Sequence, residues 1–220
     1  MVLPSADVAQ AARIAVAART VNNGQPCIAA KRFIVHRQVH PQFLEGFAAG
    51  MRTLRVGDPM DPGSDVGPLA SAGERDRLAA QVDRLLREGA RALVGGAALP
   101  GPGAFYPPTV LTDVPRGSAT YREEISGPVA LVISVRDLDE AIAVANELPY
   151  GLGSSAWTRD PAERARLVDE LEAGATFLNG MVASDPRLPF GGVKRSGCGR
   201  ELSREGIREL VNVKTVVVQE

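Results

Sequence analysis

Three places in this 220-residue chain hold side chains that could do chemistry. The first is Cys27, which follows the polar turn Asn22-Asn23-Gly24-Gln25-Pro26. A cysteine in such a turn, between a helix and a strand, is reachable. Backbone N–H groups around it can favour a thiolate and stabilise an oxyanion beside it. That would suit a nucleophile attacking a carbonyl carbon. Cysteine is also a small hydrophobe, and ahead of Ile28-Ala29-Ala30 it reads as well as a buried packing residue. His36 and His40 trail the next strand and read as surface histidines, so no cysteine–histidine pair of a protease is expected.

The second place is Glu123-Glu124, which leads through Ile125-Ser126-Gly127-Pro128 into an apolar run. A carboxylate at a sheet edge can accept hydrogen bonds from a ribose, and a pair of acids before a strand can equally be solvated. The third is the glycine-rich segment from Asn179 to Glu201. Clustered glycines with no helical pattern point to unusual backbone angles or close approach, as functional loops need. They do not spell G-x-G-x-x-G after a strand, so a dinucleotide fingerprint is absent. Cys198, between Gly197 and Gly199, reads as structural, and no metal site is expected.

These residues must be held by regular elements. Val8, Ala11, Ala12, Ala15 and Val16 recur at helical spacing and predict a helix over about 6–21, with Ser5 as the candidate cap. Arg32 to Val35 reads as a strand and 41–51 as a helix. Ser71 and Glu74 predict a capping box opening a helix that Gly89 ends. Short strands are expected at 92–94 and 109–111. The unbroken apolar run Val129 to Val135 predicts a central strand covered on both faces. Asp137 with Glu140, and Asp160 with Pro161 and Glu163, predict two further helix starts. Strands at 154–157 and 176–179, a helix around 202–210 and a β-branched tail at Thr215 to Val218 complete the pattern. Such alternation implies an α/β fold: a mostly parallel sheet flanked by helices.

Composition narrows the function classes. Twenty-five basic and 26 acidic residues give a net charge of -1, with no like-charge block, which argues against nucleic-acid and membrane-surface partners. No run of 18 apolar residues is present, and so no membrane span is expected. Two distant cysteines and no signal-like start point to a reduced, cytoplasmic setting. Met1-Val2-Leu3-Pro4 runs into the first helix with hardly any lead, which raises the expectation of coding sequence upstream.

The segments Asn23-Gly24-Gln25-Pro26-Cys27, Glu123-Glu124-Ile125-Ser126-Gly127-Pro128 and Pro189-Phe190-Gly191-Gly192-Val193-Lys194-Arg195-Ser196-Gly197 occur in that order. Together they resemble the cysteine, cofactor-ribose and C-terminal signatures of the aldehyde dehydrogenase superfamily. The resemblance covers essentially the whole chain as that family's catalytic-cysteine half. Asn179 to Arg187 and Gly199-Arg200-Glu201-Leu202-Ser203 carry a finer likeness to the bacterial succinate-semialdehyde dehydrogenase branch.

This resemblance implies that Cys27 adds to an aldehyde, hydride passes to NAD or NADP, and water cleaves the resulting thioester. It implies that Glu124 binds the nicotinamide ribose, with Ser126 where many relatives have phenylalanine. Ser184 corresponds to a loop that meets a distal substrate carboxylate, and Arg187 is a nearby cation. The general-base glutamate, the oxyanion asparagine and most of the cofactor domain fall in a half this chain lacks. Residues 1–210 would be the catalytic domain and 211–220 an oligomerisation strand. The implied partners are an aldehyde of the succinate-semialdehyde kind, and either further copies of the chain or a complementing N-terminal half. The alternative is a non-enzymatic remnant that keeps the fold and its association surface.

Overall fold

The computed structural model describes all 220 residues, and the architecture grows outward from one strand. Strand β4, Val129–Val135, is buried at six of its seven positions. Successive side chains of a strand point to opposite faces. Val129, Leu131, Ile133 and Val135 join a core cluster of 23 residues, while Ala130 and Val132 join a second cluster of 14. Both faces are therefore covered, as the continuous apolar run predicts.

Strands β1, Arg32–His36, and β3, Thr109–Thr112, flank β4 and run parallel to it. Strand β2, Arg91–Val94, adds to β3 in the antiparallel sense, so the sheet order is β1-β4-β3-β2. A separate parallel pair forms from β6, Gly153–Ala156, and β7, Ala175–Leu178. Two-residue strands β5, Tyr150–Gly151, and β8, Val193–Lys194, pair antiparallel.

The first three residues connect the two larger sheets. Val2 bridges Val35 of β1 on one side and Trp157, just beyond β6, on the other. The Val2 N–H donates to the Ile34 oxygen (2.9 Å), and the Leu3 N–H donates to the Trp157 oxygen (3.0 Å). The His36 and Trp157 N–H groups return bonds to the Val2 and Met1 oxygens (2.9 and 3.0 Å). Three residues are too few to show a period, so the pattern reading assigns them no element.

Helices α1, Val8–Thr20, and α2, His40–Thr53, cover one face. There Phe47 lies 4.7 Å from Phe33 and 5.4 Å from Phe43, centroid to centroid. Helices α3, Ala72–Arg87, α4, Leu138–Asn146, and α5, Pro161–Glu170, supply Leu78, Val82, Ala141, Val144 and Leu167 to the larger cluster.

The helix starts correct the sequence reading in detail. Asp7, not Ser5, caps α1 by accepting from the Gln10 N–H (3.0 Å). Ser5 pairs with the Thr158 hydroxyl (2.7 Å) and accepts from the Arg159 N–H (2.9 Å). Ser71 caps α3 through the Glu74 N–H (3.2 Å), but Glu74 turns to Arg77, so only half of the expected box forms. Asp137 caps α4 (2.8 Å), while the Glu140 carboxylate reaches past it to the Arg136 N–H (2.9 Å). Asp160 accepts from the Ala162 and Glu163 N–H groups (2.7 and 3.2 Å). Gly89, at φ 112°, ends α3, and the Ala90 N–H closes back on the Leu85 oxygen (2.9 Å).

After helix α6, Ser203–Glu209, the tail, including Thr215 to Val218, forms no strand within the single chain. A strand exists only by pairing, and no strand of this chain lies beside it. Val216, Val217 and Val218 are exposed. No helix is long and apolar enough to cross a membrane.

The stitch at the N-terminus gives a pH test. The Met1 amine donates to the Ser155 oxygen (2.6 Å), and burial, with Arg32 adding charge repulsion, pushes its pKa down from 8.0 to about 5. Between pH 5 and 8 the unfolded chain therefore binds more protons than the folded one, so stability rises with pH across that window and levels off above it. At about 1.4 kcal/mol per unit the rise reaches about 4 kcal/mol. In the 220-residue polypeptide with a free Met1 amine, urea unfolding from pH 5 to 8 is expected to show this slope, and acetylation of that amine is expected to remove it.

Candidate active site

The turn before Cys27 is built from three successive left-handed residues, Asn22 (φ 43°), Asn23 (φ 57°) and Gly24 (φ 73°). The middle of the turn has no room for a side chain. A Cβ on Gly24 would lie 2.5 Å from the Gly127 oxygen. The Gly127 N–H donates to the Gly24 oxygen (3.0 Å), and Gly127 itself sits at φ 133°, where a Cβ would meet Leu78 at 2.4 Å. This backbone-to-backbone contact docks the Cys27 turn on the segment carrying Glu123 and Glu124.

The amides of the cysteine motif hold a second loop. Asn23 Oδ1 accepts from the Gly67 N–H (2.8 Å), and its Nδ2 donates to the Pro68 oxygen (3.1 Å). Gln25 Oε1 accepts from the Ala70 N–H (2.8 Å). The Ser126 hydroxyl faces the Gln25 oxygen at 3.4 Å, a position too small to provide an aromatic wall.

Carried past this docked turn, Cys27 is exposed, which removes the buried-hydrophobe reading. Cys198 is exposed as well, so burial does not explain it as a packing residue. Cys27, Glu124, Lys31, Met181, Arg195 and Ser196 border one cavity of about 510 Å³, and neither histidine lines it. Ser184 and Arg187 are not among its lining residues. Arg187, 86% exposed, is folded onto Asp185 through paired contacts of 3.0 and 2.6 Å. That pairing holds the Asp185 carboxyl below its usual range. Of the four residues named from sequence, the structure thus brings Cys27 and Glu124 together and leaves Ser184 and Arg187 on an exposed loop.

Two cations beneath the turn went unnamed in the sequence reading. Lys31 Nζ donates to the oxygens of Pro26 (3.3 Å), Cys27 (3.2 Å) and Ala29 (3.2 Å), and pairs with Glu124 Oε1 at 3.2 Å. Burial pushes the Lys31 pKa below the ordinary lysine range, and Arg19 adds to this, while Glu124 and Cys27 act in the opposite direction. Arg19 is fully buried; its Nη2 donates to the Gly24 oxygen, and its Nε and Nη1 have no partner. Burial pushes its pKa down to about 9, opposed by Glu124. The signal for Arg19 was present, since it falls four residues beyond Ala15 on the buried stripe of α1. Lys31 showed only as a charge interrupting the run from Ile28 to the core of β1.

The sequence pattern of the aldehyde dehydrogenase family matches residues 1–216. The chain belongs to the aldehyde dehydrogenase family. It is 55% identical over 216 residues to a protein named succinate-semialdehyde dehydrogenase [NADP(+)] from Mycobacterium avium, covering 98% of this chain and 46% of that protein. A protein so named, with the suffix 1, from Mycobacterium tuberculosis is 54% identical, with 47% of its length covered. The succinic semialdehyde dehydrogenase of Streptococcus pyogenes, solved with NADP+, superposes with a TM-score of 0.95 at 36% identity, over 100% of this chain and 48% of that one. Lactaldehyde dehydrogenase from Escherichia coli gives a TM-score of 0.96 at 32% identity, over 100% and 46%. The chain spans about half the length of the curated relatives it matches.

The family's nicotinamide cofactor finds one fitting group among these residues. Glu124 has a half-exposed carboxylate on the cavity rim, oriented by Lys31, whose oxygens can accept from a ribose diol.

The glycine contact is directly testable. Gly24→Ala is expected to lower stability by about 2 kcal/mol or more, because a Cβ there meets backbone at a positive φ. Gly180→Ala, with nothing within 4 Å of its Cβ, is expected to stay within about 0.5 kcal/mol of the parent. Urea titration of both variants checks the difference.

Proposed function

We propose that this chain carries the nucleophile and one cofactor-binding acid of an NADP-dependent dehydrogenase acting on succinate semialdehyde. The observation that carries the reading is the exposed Cys27 beside Glu124 on a single cavity. The matched relatives' names support the choice of aldehyde and of NADP over NAD.

In this reading the Cys27 thiolate forms a bond to the aldehyde carbon, and the carbonyl electron pair moves to oxygen as an alkoxide. Bound NADP supplies the hydride acceptor. Cys27 holds the carbon throughout, first as a thiohemiacetal and after oxidation as a thioester that water cleaves to the carboxylate. Glu124 orients the ribose by accepting hydrogen bonds. Ser184 meets the distal carboxylate, and Arg187 contributes once it exchanges Asp185 for substrate. Residues 1–210 act as the catalytic unit and 211–220 as a strand that pairs with a neighbouring subunit, satisfying backbone groups the single chain leaves open.

Residues 1–26 contain no glutamate that could serve the 220-residue polypeptide as a general base upstream of Cys27. General-base assistance is worth about 10²- to 10⁴-fold, and turnover of the 220-residue chain is expected to be lower by that order. Addition of the thiol needs no such base. Succinate semialdehyde is therefore expected to protect Cys27 from iodoacetamide in a Cys198→Ala background, and Ser184→Ala to weaken that protection about tenfold more than protection by butanal. Dehydrogenase activity read at 340 nm that survives in Cys27→Ala would overturn the proposal. Absence of both protection and activity would instead favour the non-enzymatic alternative.

A further inference from the structure

We propose that Lys31 is the positioning residue of this site: its ammonium clamps the Cys27 turn to Glu124 and provides the positive charge against which the Cys27 thiolate forms. The inference rests on Cys27 being the nucleophile and deepens that reading.

A lysine at the start of a strand ordinarily runs its stem along the surface and leaves its head in water. Lys31 does the opposite, with a side chain only 18% exposed and bent back under its own loop. Four oxygens lie at 3.2–3.3 Å from Nζ, three of them carbonyls of Pro26, Cys27 and Ala29 and the fourth from Glu124. An ammonium has three N–H groups, so these contacts are shared, as for a cation seated in a nest of oxygens. Removing it would release three carbonyls on one side of the nucleophile and a carboxylate on the other.

The charges around the turn can be counted element by element. Arg19 from α1 and Lys31 bring two positive charges, and Glu124, from the segment before β4, brings one negative. That leaves one positive charge for the anion that forms when Cys27 attacks. The remaining charged groups along the cavity are engaged elsewhere or lie apart from this nest. Glu123 pairs with Arg84 (3.0 Å), Arg32 faces Glu147 (3.9 Å), and Glu172 holds Lys194. Arg195 borders the cavity without joining the Lys31 contacts, and the Met1 amine, pushed down to about 5, is neutral at pH 7.

The test is the pH–rate profile of Cys27 alkylation by iodoacetamide in the 220-residue chain carrying Cys198→Ala, with the labelled residue confirmed by peptide mapping. Lys31→Met is expected to move the profile to higher pH by about 0.5 to 1 unit and to slow alkylation at pH 7 about three- to tenfold. Lys31→Arg, which keeps the charge, is expected to restore most of the rate. Glu124→Gln is expected to move the profile the other way, because it leaves Lys31 uncompensated. Loss of packing alone would shift both variants in one direction or neither. Profiles that do not move, or that move alike in Lys31→Met and Glu124→Gln, overturn the role of Lys31. If Lys31→Met fails to fold by circular dichroism, the Lys31→Arg and Glu124→Gln profiles decide the matter. Semialdehyde protection at Cys27 with unmoved profiles defeats this inference alone, whereas absence of protection defeats the nucleophile reading beneath it.

Discussion

Two glycines in contact set the geometry on which this site depends. The Gly24 carbonyl accepts from the Gly127 N–H; a Cβ on Gly24 would strike the Gly127 backbone, and Gly127 holds φ 133°, where a Cβ would meet Leu78. The backbones approach so closely because Gly24 presents no side chain to Gly127. Because Gly24 lies three residues before Cys27 and Gly127 three after Glu124, the contact puts the thiol-bearing turn and the Glu124 carboxylate on one cavity. The Asn23 and Gln25 amides then brace the turn from the far side against residues 67–70. The motif residues around the cysteine thus serve mainly to hold it.

That local frame is anchored in a sheet that the chain assembles from distant pieces. The turn leaves α1 and enters β1, and β1 is held between β4 and the three-residue stitch at Val2. Through Trp157 the same stitch fixes β6 and β7, whose following loops return Met181, Arg195 and Ser196 to the cavity. A parallel sheet covered on both faces resists shear because each strand interlocks with two cores at once. The exposed tail lies outside this frame, and its valines have no core to join.

Electrostatics adds the second layer. Burying Arg19 with two unpaired nitrogens costs stability, and its depressed pKa records that cost. The return is a positive field beneath the cysteine turn, only partly neutralised by Glu124. Strained or unsatisfied groups concentrate where chemistry is done, and here the left-handed turn and the buried guanidinium coincide.

Much of the fold was legible in sequence because it is set by interactions within a few residues. The continuous apolar run Val129 to Val135, the caps Asp137 and Asp160, and the stop at Gly89 depend on neighbours along the chain. The site was legible to the extent that ordered motifs named Cys27 and Glu124. Sequence misassigned the cap of α1, since Ser5 and Asp7 are equally able to accept and only the pull of Thr158 on Ser5 separates them. It could not show that Arg187 is held by Asp185, that Val2 joins two sheets, or that Lys31 bends under its own turn. Sequence by itself determined the α/β layout and pointed to Cys27 and Glu124 as candidates, because periodicity, capping and side-chain chemistry are local. Tertiary structure alone decided which groups meet, because contacts such as Gly24 with Gly127 arise from packing between segments far apart in the chain.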